Sequence, residues 1–389
     1  MTASTDVHID GFAEPGYGAV ADAFAANFDR GELGASCALH VDGQLVVDLW
    51  GGTADPVSGR PWDRDTVAIV FSVSKGVSSI CAHLLVQRGL LDLDALVTDH
   101  WPEYGAAGKD ETTVGMVMSH QSGLTVVDGP VTFEDLADPA GMAARLAAQE
   151  PLFEPGSDHL YQAITFSWTL GEIVRRVTGK TVGAMVADEL TGPLGLDLWI
   201  GLPDEIEPRV APIQPPDVDP ALIALVLPEG GLGWRALTLN GLLPSTVAGP
   251  GTGINDPVVH RVQLPAANGI TNARSLSRLY ANVIGEVDGH PRLLEPETIA
   301  AASVVRSEGN QWGEPYLGAS WGAGFMRPFA RQPMLGGSSF GHDGAGGSIA
   351  FADPERGAAF SHVLNQMLVT AEQDVRTAAL MAALHTCLD

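Results

Sequence analysis

The chain has 389 residues, 45% of them hydrophobic, and carries a formal net charge of −26 at neutral pH. Hydrophobic content of that order excludes a disordered chain, and the length predicts two domains or one domain with a large insertion. So acidic a balance excludes nucleic acid and anionic membrane surfaces as partners, because both recruit positive charge.

The first residues, MTASTDVHIDGFAEPG, show neither a basic n-region nor an apolar h-region, so no secretory signal is expected. Val20–Phe28 reads as an amphipathic helix. Ser36–His40 and Leu45–Leu49 read as strands around Asp42-Gly43, a dipeptide favoured in tight hairpins. Cys37, Cys81 and Cys387 are odd in number and far apart, which fits reduced thiols in the cytoplasm better than a disulfide framework.

Next comes Ser72-Val73-Ser74-Lys75. Residues three apart are neighbours on a helix, so hydroxyl and amine meet if a helix begins here. Val77, Ile80, Cys81, Leu84 and Leu85 supply one apolar stripe, and Gly89 a stop. At about 100° per residue, Ser72 and Lys75 point away from that stripe. The pattern predicts a helix that buries one face and presents the Ser/Lys pair to a cleft. A serine hydroxyl is a weak nucleophile until a base takes its proton, and a desolvated lysine amine can do so near neutral pH. Lys75, Lys109 and Lys180 are the only lysines. Alone, S-x-x-K still arises readily by chance.

Thr113–Met118 reads as a helix leading into His120-Gln121-Ser122-Gly123-Leu124, and Phe166, Leu170, Ile173, Val174 and Val177 mark another, closed by Gly179. The segment 206–265, rich in proline, glycine and leucine, has no clear period and reads as a covering segment. Its apolar run Ala221–Leu227 is far too short to span a membrane. Strands are predicted at Leu317–Phe325, Ser339–His342, Ser348–Phe351 and Ala358–Leu364, and a closing helix at Ala371–Leu388. Strands at both ends with helices between predict a sheet domain from residues 1–65 and 301–389 and a mainly helical domain from 66–300.

Two further segments join the Ser/Lys motif. Pro155-Gly156-Ser157-Asp158-His159-Leu160-Tyr161-Gln162-Ala163 puts a tyrosine just ahead of the second helical stripe. Phe340-Gly341-His342-Asp343-Gly344-Ala345-Gly346-Gly347-Ser348, followed by Phe351-Ala352-Asp353-Pro354-Glu355, is a glycine-rich strand and turn. With F-S-V-S-K, S-H-Q-S-G-L and the E-I-V-R-R-V-T-G ending at Gly179, these make a pattern in the order and approximate spacing of a known family. The chain resembles the serine β-lactamase/penicillin-recognising superfamily, closest to the class C β-lactamase-like esterases called family VIII carboxylesterases. The resemblance runs from about Gly34 to the C-terminus. It implies an α/β fold: an antiparallel sheet flanked by the N- and C-terminal helices, an inserted largely helical domain, and an active site between them.

The resemblance implies Ser72 as the acylated nucleophile, Lys75 as the group that activates it, and Tyr161 as the phenol that relays the proton to the leaving group and later activates water. An unperturbed phenol titrates near 10, so this role calls for Lys75 close by to favour the phenolate. The pair is treated as one coupled unit. His342-Asp343-Gly344 takes the place of the third motif, Lys-Thr-Gly in β-lactamases. By that alignment the backbone N–H groups of Ser72 and Ala345 form the oxyanion hole, with His342 and Gly344 beside the substrate. Glycines at 344, 346 and 347 suit a strand that a substrate approaches closely. Asp343 is read as structural or on the cleft rim, and His120 and Ser122 as turn residues without chemistry. His83, His100, His159 and His260 lack metal-ligand spacing, so neither a metal nor another cofactor is expected.

A rival nucleophile is Ser320, in Gly318-Ala319-Ser320-Trp321-Gly322, which matches G-x-S-x-G with His342, Asp343 and His362 downstream. That motif needs a strand, a sharp turn and then a helix. Ala323–Pro328 reads instead as strand and break, so Ser320 is taken as a strand residue near the cleft.

The departures from the β-lactamase pattern point to the substrate class. Ala163 stands where Tyr-x-Asn supplies an amide to the antibiotic's side chain, and His342 replaces the third-motif lysine, a cation for its carboxylate. On this reading Ala163→Asn with His342→Lys raises β-lactam turnover relative to ester turnover. Trp234, with Leu239, Leu242 and Leu243, is expected to line an acyl or alcohol pocket. The leading expectation is a cytoplasmic serine carboxylesterase (EC 3.1.1 type) that cleaves a small-molecule ester through an acyl-enzyme on Ser72, with no nucleic acid or membrane partner. Amidase, D-aminopeptidase-like and acyltransferase chemistry stay open, as do weak β-lactamase side activity and a homo-oligomer. From another class, so does a catalytically silent ligand-binding relative.

Overall fold

Strands from the two ends of the chain meet in one antiparallel sheet. The computed structural model describes residues 7–244, 251–313, 318–369 and 372–389. The sheet contains β1 (Ile9–Ala13), β2 (Gly34–Val41), β3 (Gln44–Asp55), β4 (Ser307–Glu308), β5 (Ser320–Trp321), β6 (Met326–Arg327), β7 (Phe340–Asp343), β8 (Ile349–Asp353) and β9 (Ala358–Leu364). Their spatial order is β1-β3-β2-β9-β8-β7-β6-β5-β4, and Arg60–Pro61 adds to β3. The β2–β3 hairpin turns at Asp42 and Gly43, with φ of 48° and 76°, the left-handed pair that matches the strand twist. β9 joins the two halves: Cys37 lies opposite His362 and Leu39 opposite Phe360.

The principal helices are α1 (Gly18–Asn27), α2 (Val73–Gln87), α3 (Val114–Met118), α4 (Phe166–Thr178), α5 (Leu232–Thr238), α6 (Ala273–Ile284) and α7 (Val375–Leu388). Alternation along the strands puts Ala35, Cys37, Leu39, Phe351 and Phe360 on one face, packed with Val20 and Phe24 of α1 and Leu380 and Leu384 of α7. Ala38, Ala350, Ala359 and Val363 face the other way, into the core that holds Leu276, Leu279 and Tyr280 of α6. The architecture is the expected one, an antiparallel sheet flanked by the terminal helices. One helix departs from the domain division read from the sequence. α6 lies within 66–300, yet it packs across β2, β8 and β9, and its Ser277 Oγ sits 3.0 Å from His40 Nδ1 of β2.

α2 differs from its prediction. Every residue from Val73 to Leu85 is buried, not one face alone. The polar side chains on its other faces are satisfied by carbonyls far away in sequence: Ser78 Oγ donates to Pro265 O (2.7 Å), Ser79 Oγ to Gly324 O (3.0 Å), and His83 Nε2 lies 2.8 Å from Ala323 O. Such pairings let a helix with a polar stripe sit inside a core. α3 opens on Thr113, whose Oγ1 accepts from Met116 N (3.2 Å), and α4 ends at Gly179 in the left-handed region.

The covering segment is more regular than its sequence suggests, with helices at Pro220–Val226, α5 and Pro257–Arg261; its residues 245–250 lie outside the described ones. The strand predicted at Leu317–Phe325 shrinks to β5, and Met326–Arg327 returns as β6 after Gly322–Gly324; Leu317 is outside the described residues. The last helix starts at Val375 rather than Ala371, which is also outside them, because the Asp374 carboxylate caps it by accepting from Arg376 N (2.8 Å). Among the described residues no helix is long and apolar enough to cross a membrane.

Candidate active site

Ser72 stands at the N-terminus of α2, directly after Phe71, which holds a φ of 47°. A bulky residue rarely adopts that conformation, so packing must hold it there. Ser72 Oγ lies 3.1 Å from Lys75 Nζ and accepts a 2.6 Å hydrogen bond from the Tyr161 hydroxyl. Lys75 Nζ also donates to Ala163 O (2.7 Å) and Ala266 O (3.0 Å). The amine is fully buried, and burial pushes it well below the usual lysine range. A neutral amine has two N–H bonds for the two carbonyls and one lone pair left for the Ser72 hydroxyl. Three partners therefore hold Lys75 as a base.

Burial pushes the Tyr161 phenol up, away from ionisation. The phenolate expected from the sequence is thus disfavoured in the resting site. What the geometry favours is a neutral phenol that donates to Ser72 Oγ while Lys75 stands ready to accept. The Tyr161 ring stacks on Trp321, with centroids 5.2 Å apart and planes at 16°, and meets the edge of His120 at 4.8 Å. Its backbone N–H donates to Gln311 Oε1 (2.8 Å). His120 is buried, and desolvation followed by the nearby Lys75 keeps its imidazole neutral. Read from sequence as a turn residue, it does turn the chain, with a φ of 65°. It is also the wall that orients the phenol.

Trp321 and Gln311 were invisible to motif reading, since neither belongs to a recognised pattern. Trp321 lies in the stretch that suggested a nucleophile elbow. Ser320 itself is buried in β5, paired with Arg327 and Glu308 across the ladder, and no helix follows it. Its neighbours Ala319 and Trp321 face the cavity, while Ser320 is not among the lining residues. The elbow is excluded.

A cavity of about 490 Å³ opens over Ser72. Tyr161, Ala163, Gly344 and Ala345 border it near the hydroxyl, and Leu160, Leu232, Ala236, Leu237 and Phe329 form an apolar wall. Arg331, Asp343, Glu372 and Asp374 supply its charged groups. Among the described residues, neither Ser72 N–H nor Ala345 N–H donates to a backbone acceptor, which leaves both for an oxyanion. Gly344 borders the cavity, as expected, and also packs closely: a Cβ there would collide with the Val70 carbonyl, just ahead of Ser72. The glycine lets the β7–β8 turn lie against the nucleophile's own loop. Gly346 and Gly347 line the cavity but likewise pack closely, against Met367 and against Asp374 and Arg376.

Two residues expected at the substrate sit elsewhere. His342 is 1% exposed and absent from the cavity lining; its Nδ1–H donates to Asp343 O (2.6 Å), and Nε2 has no partner among the described residues. Desolvation, and then Lys75, lower its pKa to about 3. The ring lies inward, 6.1 Å from Tyr161 and 5.4 Å from Trp321. The Trp234 ring lies against Gly241, away from the cavity that Leu232, Gly233, Ala236 and Leu237 line from the same helix. Asp343, by contrast, does border the cavity.

The placement of His342 reverses the expected effect of changing it. His342→Lys would bury a second amine beside Lys75 rather than offer a cation to a substrate. Ester turnover is expected to fall by about ten-fold or more at neutral pH, because like charges compete for one dry site. Cephalosporin turnover should fall with it. A rise in the cephalosporin-to-ester ratio for this single variant would return residue 342 to the substrate.

Residues 18–384 match the beta-lactamase family. The esterase/beta-lactamase LipL of Mycobacterium tuberculosis is 36% identical over 369 residues, covering 92% of this chain and 83% of LipL. The crystal structure of a family VIII carboxylesterase is similar at a TM-score of 0.86 and 34% identity, covering 98% of this chain and 100% of the other. A penicillin-binding protein homolog from Caulobacter crescentus is similar at the same TM-score and 37% identity, again over 98% and 100%.

Proposed function

The chain belongs to the beta-lactamase family, and from that premise we propose how it works as a serine carboxylesterase of the family VIII kind. Lys75 takes the Ser72 hydroxyl proton as Oγ attacks the ester carbonyl carbon. The N–H groups of Ser72 and Ala345 receive the oxyanion. Collapse of that intermediate breaks the ester C–O bond, the alkoxide leaves with the Tyr161 proton, and the phenolate is reprotonated with the proton that Lys75 took from Ser72. Water then repeats the sequence on the acyl-enzyme and frees Ser72. The observation that carries this reading is the position of Ser72 Oγ, 3.1 Å from one buried base and 2.6 Å from one half-buried acid.

The substrate is a small molecule, as a cavity of about 490 Å³ with one apolar wall suits. No nucleic acid or membrane is a partner. Weak β-lactam turnover is a second reading, favoured by the double designation of LipL. We place the protein in the cytoplasm; three free cysteines, two of them buried, support a reducing compartment. The test is a series of p-nitrophenyl esters of increasing acyl length beside a chromogenic cephalosporin, with a fluorophosphonate probe mapped by mass spectrometry. Ester turnover above cephalosporin turnover and an adduct on Ser72 are expected. A protein that takes no adduct and turns over neither substrate is a ligand-binding relative.

A further inference from the structure

The Arg376 guanidinium lies at the start of α7, wholly buried, and all five of its N–H bonds find acceptors. Nη1 donates to Glu32 Oε1 (3.1 Å) and Gln366 O (2.9 Å), Nη2 to Gly346 O (2.6 Å) and Asp374 Oδ2 (2.7 Å), and Nε to Asp374 Oδ1 (3.1 Å). Beyond it, Glu32 Oε2 is 3.3 Å from His362 Nε2 of β9. Buried ion clusters of this kind are poor stabilising devices, because apolar groups of the same volume do as well or better. The charge therefore calls for another reason.

That reason lies one residue from the proposed oxyanion hole. Gly346 follows Ala345 in the β7–β8 turn, and its carbonyl is held both by Arg376 and by Leu368 N (3.2 Å). Gly347 is pressed so closely on Arg376 and Asp374 that a Cβ would collide with both. Asp374 lines the cavity, so its carboxylate would repel an oxyanion unless a cation offsets it. We infer that Arg376 is a positioning residue for ester hydrolysis: it clamps the β7–β8 turn through Gly346 O, which holds Ala345 N–H at the oxyanion, and it neutralises Asp374 beside that charge. This rests on the acyl-enzyme reading given above.

Arg376→Lys keeps the charge but cannot reach all five acceptors, and Asp374→Asn loosens the clamp while preserving shape. Melting temperature, kcat, KM for p-nitrophenyl butyrate, and affinity for an alkylboronic acid that forms a tetrahedral adduct with serine would be measured for both. Loss of one oxyanion donor costs about 10²–10³-fold, so a displaced donor in folded Arg376→Lys should lower kcat roughly ten- to a hundred-fold. KM should stay within about two-fold, and boronate affinity should fall by the same factor as kcat/KM. Asp374→Asn should show the same signature at smaller size. Should Arg376→Lys fail to fold, Asp374→Asn decides by the same criteria. A loss confined to KM, or unchanged kcat and boronate affinity in the folded variant, overturns the assignment. A wild-type protein that neither binds the boronate nor labels at Ser72 overturns instead the acyl-enzyme reading, and this inference with it.

Discussion

Ser72→Ala is expected to reduce ester hydrolysis by about a million-fold, to the residual rate that binding and the oxyanion hole alone sustain. The size of the effect follows from geometry: Ser72, the one serine among the described residues that line the cavity, has a buried amine at 3.1 Å and a phenol at 2.6 Å. The fold should survive, because the Ser72 side chain makes no capping hydrogen bond to α2. Ser320→Ala, buried in β5 and off the cavity lining, should retain most activity. Steady-state kinetics on a chromogenic ester separates the two. An active Ser72→Ala enzyme beside an inactive Ser320→Ala enzyme would sink the assignment.

Lys75→Ala and Tyr161→Phe should each lower turnover by about 10²–10⁴-fold, the usual contribution of a positioned acid or base. Tyr161→Phe is the cleaner probe, since the ring keeps its packing on Trp321 and His120 and only the hydroxyl is lost. Lys75→Ala also leaves the Ala163 and Ala266 carbonyls without their donor, so stability must be followed alongside rate; each unsatisfied buried acceptor costs about 1–3 kcal/mol. The double variant should be little worse than the poorer single one, because both groups serve one proton path. The pH profile carries the sign. Lys75 acts as a base only when neutral, and burial lowers its pKa, so kcat/KM should rise with pH and level off well below the ordinary lysine range. Burial raises the phenol's pKa, so Tyr161 should impose no alkaline loss below about 10. An acid limb centred near 10 would show that Lys75 is charged at neutral pH and that burial does not prepare it as a base.

Much of this site is legible in the amino-acid sequence, for a local reason. Ser72 and Lys75 are one helical turn apart, and Tyr161 is tied to them by motif order, so each can be found without knowing what surrounds it. The same holds for Gly179 at the end of α4 and for the Asp42-Gly43 hairpin. What fails is anything decided by a partner far along the chain. Periodicity gave α2 one buried face because the carbonyls of Pro265, Ala323 and Gly324 that satisfy its polar residues are remote. His342 went astray through strand parity. Phe340 and His342 both point into the core, and the cavity meets the chain only from Asp343 onward, where β7 ends and its turn opens. A motif alignment carries position but not direction. Arg376 was missed altogether, since an arginine opening an exposed-looking terminal helix gives no sign of burial.

The seam between β2 and β9 has a bearing on how the protein is made. On the ribosome β2 and β3 emerge early, whereas the strand that pairs with β2 arrives near the end of synthesis, as the opposition of Cys37 and His362 requires. Pairings this distant fold slowly, because the entropy of closing the chain is spent before any contact rewards it. Until β9 is made, β7 and β8 have no strand to tie them to β2. The turn that brings Ala345 N–H beside Ser72 is thus anchored to the N-terminal half of the sheet only by the last strand.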